Sequence, residues 1–202
     1  MSDAEPRPGA VAATIAQELP GLTLWWLRMP GAPGPVGEAL TRRLRVQSDR
    51  LRGADAVTLR SRPVVRSYRA FARQIGLDPD RDRVPAERAA LVRLTHGGLQ
   101  APDRISAACL VAVVETGVGV WALDGDAVAP GGPELRDRDG ALLVADPARV
   151  HAPLFGDPLP GSVPGARTRT VVLYAVGVPG VPEVHLHEAL WQAEDALRAA
   201  GA

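Results

Sequence analysis

Val118-Gly119-Val120-Trp121-Ala122-Leu123-Asp124-Gly125 divides the chain into two textures. It is a short β-type apolar run closed by an Asp-Gly turn signal, and similar runs follow over residues 141–145 and 170–178. Upstream the apolar residues fall at helical spacing. Val36, Leu40, Leu44 and Leu51 predict one helix, with Gly53 placed to end it. A short strand is expected over residues 56–59. Pro63 then opens a second helix with Val64, Tyr68, Phe71 and Ile75 inward and Gly76 as its stop. A third is marked by Pro85, by Glu87 in its first turn and by Gly97-Gly98 past its end. Residues 103–116 fit either a capped helix or a buried strand. Residues 22–29 read as a strand that stops at a proline-rich segment, and Leu186, Leu190, Ala193 and Leu197 line a closing helix. Helices come mostly first and strands mostly later, which predicts an α+β fold rather than a doubly wound sheet.

The chain has 202 residues, 46% of them hydrophobic and 23% charged, the composition of one globular domain. Residues 1–20 are Pro/Ala-rich and are expected to form a tail or loosely docked arm, with a single domain over 21–202. All 23 basic residues are arginines, so lysine Schiff-base chemistry and a P-loop lysine are excluded. The single cysteine, Cys109, rules out an internal disulfide and a multi-thiolate zinc site. His185 and His187 point apart on a helix, so neither a metal nor any other cofactor is expected. No signal-peptide pattern or membrane span is read, and the cytoplasm is the expected compartment.

A formal net charge of zero conceals an uneven distribution. Residues 42–104 hold 15 arginines against 7 acids, whereas residues 105–202 hold 6 against 12. An arginine-rich segment of this kind is an electrostatic footprint for phosphate, and it also fits solvated helix faces. Arg66, Arg69 and Arg73 recur at helical spacing, which predicts one stripe with Arg62 just before it.

Several of these segments, taken in order, resemble a known family. Arg60-Ser61-Arg62-Pro63, Tyr68-Arg69, Gly76-Leu77-Asp78-Pro79, Arg83 and Pro85-Ala86-Glu87 are similar to the ordered motifs of freestanding B3/B4 proteins. These are related to the tRNA-editing domain of the phenylalanyl-tRNA synthetase β subunit. Gly98-Leu99, the run from Val118 to Asp124, Gly140 to Asp146 and Thr170 to Leu173 continue the same order, and the resemblance spans roughly residues 22–199. It implies a β-sandwich-like core of mixed strands flanked by helices, and a trans-acting protein that hydrolyses mischarged aminoacyl-tRNA. No amino-acid activation domain is present in the sequence, so the chain is not a complete synthetase. The implied partners are tRNA and an amino acid, with no DNA and no membrane. The alternative is a non-enzymatic module of the same fold that binds an amino acid, a nucleotide or a protein.

Ester hydrolysis of this kind needs an oriented water, oxyanion donors and a selective pocket, but no enzyme nucleophile. Gly161-Ser162-Val163-Pro164-Gly165 lacks the spacing of a serine-hydrolase elbow. The candidate catalytic residues are Glu115 and Thr116 at the end of an apolar run, Asp146 at the end of another, and His151 in the loop beyond. Trp121, Asp124 and Phe155 are candidates for the substrate pocket, and Arg60, Arg62, Arg66, Arg69, Arg73 and Arg83 for RNA binding. Each has a plainer reading: a helix cap or turn for Glu115, Thr116, Asp124 and Asp146, an ordinary loop residue for His151, and core for Trp121.

Overall fold

The computed structural model describes residues 5–51 and 58–201. It is an α+β fold, with two antiparallel sheets and six α-helices among the described residues. The strands are β1 (Arg7–Pro8), β2 (Thr23–Pro30), β3 (Val120–Asp124), β4 (Glu134–Arg138), β5 (Ala141–Ala145), β6 (Val150–Pro153) and β7 (Thr170–Gly177). The helices are α1 (Ala13–Glu18), α2 (Glu38–Arg50), α3 (Pro63–Gln74), α4 (Pro85–His96), α5 (Arg104–Thr116) and α6 (Glu183–Ala199). One sheet has the order β1-β2-β7-β3 and the other β4-β5-β6.

β7 is the axis of the larger sheet. Every residue from Val171 to Gly177 is buried, so it reads as an unbroken apolar run rather than an alternating one. Its neighbours in register divide the core in two. Trp25, paired with Ala175, meets His187 of α6 at a ring separation of 4.2 Å, whereas Trp121 and Trp26, both paired with Tyr174, face the other way. Trp26 there packs against Gly132, whose φ of +84° and missing Cβ allow the indole to approach. α5 and α6 lie side by side and close the core from the helical side.

Asp103 decides the open question over residues 103–116. Its Oδ1 accepts the backbone N–H groups of Ile105 and Ser106 at 2.8 and 3.0 Å, and Gly117 at φ +80° ends the element. A capped helix results. The amino-terminal arm is docked along its described length: Arg7 and Pro8 pair with Trp26 and Trp25, and Ile15 of α1 is buried. Leu59, expected to end a short strand, instead opens a 3-10 turn over Leu59–Ser61, and Gly53 and residues 56–57 lie outside the described residues. No helix among the described residues is long and apolar enough to cross a membrane.

Candidate functional site

A cleft of about 340 Å³ opens between α4, α5, β3 and the loop that follows β6. β3 is an edge strand of its sheet, and Gly119 to Ala122 supply one side of the cleft. Trp121 is held flat there by stacking on Tyr174, with ring centroids 5.5 Å apart and planes 17° apart. Gly119 has no Cβ, and one would collide with the Trp121 ring and Pro85, so glycine is what lets α4 close against the strand. α5 presents Ser106, Cys109, Leu110 and Val113, a stripe at three- and four-residue spacing. Val163 and Pro164 close the loop side.

Charge is confined to the rim. Arg88 of α4 and Asp157 of the loop face each other across the mouth at 3.9 Å, both largely exposed, and Asp103 and Gln100 complete the polar border. Asp103 is committed to its cap, with Oδ2 also accepting the Ser106 hydroxyl at 2.7 Å. Burial and the nearby Asp103 charge push the Cys109 thiol up to about 12, so its thiolate is scarce and it reacts slowly at neutral pH.

The candidate catalytic residues do not converge on this cleft. Glu115 is spent on a link between α2 and α5. It receives Arg43 Nε and Nη2 at 2.9 and 2.6 Å and Gln47 Nε2 at 2.5 Å. Thr116 closes its own helix by donating to the Ala112 carbonyl at 2.7 Å and accepting the Val118 N–H at 3.1 Å. Asp124 accepts the Asp126 N–H at 3.1 Å in a turn. Of the three residues expected in the substrate pocket, Trp121 lines the cleft. Phe155 packs behind it, its ring centroid 6.2 Å from that of Trp121 and 5.7 Å from that of Tyr68. Phe155 carries a φ of +59°, a strained conformation for a bulky residue that this aromatic packing holds in place.

Asp146 and His151 do come together, with a third residue that sequence reasoning dismissed. His151 Nε2 lies 3.0 Å from Asp146 Oδ2, and Nδ1 lies 2.9 Å from Ser162 Oγ. The Nε2 contact is close but not aligned as a full hydrogen bond. Asp146 also accepts the N–H groups of Ala129, Ala148 and Arg149 at 2.7 to 2.9 Å. Burial raises its carboxyl, yet these donors and His151 outweigh that and hold it down at about 2. With Asp146 ionised, an Nε2–H directed at it leaves Nδ1 to accept the Ser162 hydroxyl proton. Carboxylate, imidazole and hydroxyl follow one another as in a nucleophilic triad. The resemblance ends at access: Ser162 is 1% and His151 0% exposed, and neither lines the cleft.

The expected arginine stripe is split. Arg69 is buried, its Nη1 2.9 Å from both Glu87 oxygens and its Nη2 2.9 Å from Asp80. Arg60 joins the same carboxylates at 3.1 Å. The Arg69 hydrogen bond holds the Asp80 carboxyl below the usual range. Arg62, Arg66 and Arg73 are exposed and Arg83 half-buried, and these four make no ion pair among the described residues. Arg88, Ser106 and the wall formed by Val163 and Pro164 were missed in the sequence. The α5 stripe follows once residues 103–116 are known to be a helix, but the loop wall carries no periodic signal. No protein-family model matches the chain, and a search of curated proteins finds no match.

Proposed function

We propose that the chain is a B3/B4-like recognition module that binds an amino acid with an apolar side chain in the α4–α5–β3 cleft. The observation that carries this reading is the division of the cleft: an apolar interior of about 340 Å³ and charges of both signs only at its rim. An apolar side chain is favoured inside such a space, while Asp157 complements an ammonium and Arg88 a carboxylate or ester oxygen. Binding is favoured over catalysis because the groups with chemistry are committed elsewhere. Glu115 is in an ion-pair cluster, Asp103 in a helix cap, and Ser162 out of reach of the cleft.

The test is a thermal-melting panel of free amino acids and their amides. At a concentration about 100 times Kd, a ligand stabilises by about 2.7 kcal/mol, which for a domain of this size raises Tm by roughly 5 to 10 °C. A shift for phenylalanine, tyrosine or leucine and none for aspartate or lysine is expected. No shift with any of them at millimolar concentration overturns the reading.

A second reading, trans-editing of mischarged aminoacyl-tRNA, is favoured by one observation: Arg62, Arg66 and Arg73 stand exposed and make no close ion pair among the described residues. Its test is deacylation of a panel of mischarged tRNAs, with the hydroxyls of the terminal ribose assisting the water. Turnover above the uncatalysed rate establishes it over simple binding.

A further inference from the structure

The loop that closes one side of the cleft has little apolar anchorage of its own. Leu159 and Val163 are exposed, 38% and 52%, and the segment is rich in glycine and proline. It is nevertheless fixed at its middle. Ser162 donates its N–H to the Leu159 carbonyl at 2.9 Å, Leu159 donates to the His151 carbonyl at 2.7 Å, and the Ser162 carbonyl accepts the Asp124 N–H at 2.8 Å. The Ser162 side chain then points inward to His151, which rests on Asp146. Every charged or polar group in this line is buried, and its far end is the saturated Asp146 carboxylate. The residues next to Ser162, Val163 and Pro164, are cleft wall.

We infer that the buried Asp146–His151–Ser162 relay is a latch that holds residues 157–164 against the cleft, making His151 and Ser162 positioning residues that set its width and access. A hydroxyl–imidazole contact suits this role. It is directional, so it fixes where the loop sits, and in a dry interior its loss leaves Nδ1 without a partner. A latch made of apolar contacts would fix the depth of the loop but not its register. The inference deepens the amino-acid-binding reading, since a fixed wall is what lets the cleft discriminate ligands by size.

Cys109 supplies a test that needs no ligand, because it is the only cysteine and lines the cleft opposite the loop. The rate of its modification by N-ethylmaleimide is measured at constant pH in the wild type, Ser162→Ala and His151→Gln. Leu44→Ala serves as a control that weakens the core at α2, away from the relay. The latch predicts that the two relay variants react about tenfold faster, while Leu44→Ala, melting at the same temperature or lower, stays within about twofold of wild type. Equal rates in all four proteins overturn it, and so does a Leu44→Ala rate as high as that of Ser162→Ala. In parallel, the affinities of L-phenylalaninamide and L-leucinamide are measured. With the latch in place the wild type separates them, and Ser162→Ala narrows the ratio toward one. If neither amide binds the wild type, the amino-acid reading fails, while the maleimide rates still decide the latch.

Discussion

Glu87→Gln is the substitution that most sharply tests how the arginine-rich segment is used. Glu87 is 5% exposed and Arg69 7%, so the substitution leaves a buried guanidinium without its main countercharge. Breaking such a pair by removing one partner costs about 3 to 5 kcal/mol. Asp80, at 2.9 Å, and the Pro79 carbonyl, at 3.2 Å, still hold Arg69, which places the expected cost near about 3 kcal/mol. For a domain of this size that corresponds to a fall in Tm of roughly 6 to 12 °C. Far-UV circular dichroism melts and urea titrations measure it, and an unchanged m value shows that the loss is stability and not a change of unfolded state. Replacing both partners, Arg69→Met with Glu87→Leu, is expected to cost less than either single change, because no charge is then stranded. A Glu87→Gln protein that melts within about 2 °C of wild type, or a double variant worse than both singles, refutes the argument that this pair is structural.

Asp146 supplies an acid-dependent counterpart. Its folded-state carboxyl, at about 2, lies below its value in the unfolded chain, so its stabilisation is complete above about pH 4 and is lost as pH falls toward 2. The loss is of order 2 kcal/mol, and Asp146→Asn lowers stability at pH 7 while flattening that part of the acid limb. Asp103→Ala, which removes the α5 cap, is expected to cost about 0.5 to 2 kcal/mol in chemical denaturation. If the chain binds tRNA through its exposed arginines, changing Arg62, Arg66 and Arg73 together to Ala flattens the log-log salt dependence of binding by roughly 2 to 3. The same triple variant changes Tm little, so a collapse of stability sinks the claim that these side chains stand outside the structural ion pairs.

The sequence disclosed β2, β3 and β7 as apolar runs and most helices by their apolar spacing, but not β1, which lies in the stretch read as a tail. Leu40 and Leu44, Tyr68 and Phe71, and Leu186, Leu190, Ala193 and Leu197 are all buried as expected. It did not disclose β4 or β6. In β4 only Leu135 is buried, and β6 places the charged-type residue His151 inward, so neither shows the alternation of a half-buried strand. Arg69 could not be separated from Arg66 and Arg73, since its partners Asp80 and Glu87 lie 11 and 18 residues away and a helical period carries no record of them. The relay escaped for a related reason. Asp146 and His151 stood out as polar residues beside apolar runs, but nothing local to Ser162 marks a hydroxyl that turns inward.

The central strand has a consequence for synthesis. Pro30 of β2 pairs with Thr170 of β7, and Trp121 on the far side pairs with Tyr174, so the large sheet cannot assemble until nearly the whole chain exists. At about 5 to 20 residues per second, the Leu24–Met29 hydrophobic stretch waits roughly 7 to 28 s on the ribosome for its partner. During that interval it is a bare edge available to chaperones or to the wrong neighbour, and the proline-rich segment that follows it is the part of the nascent chain least able to extend such a mispairing.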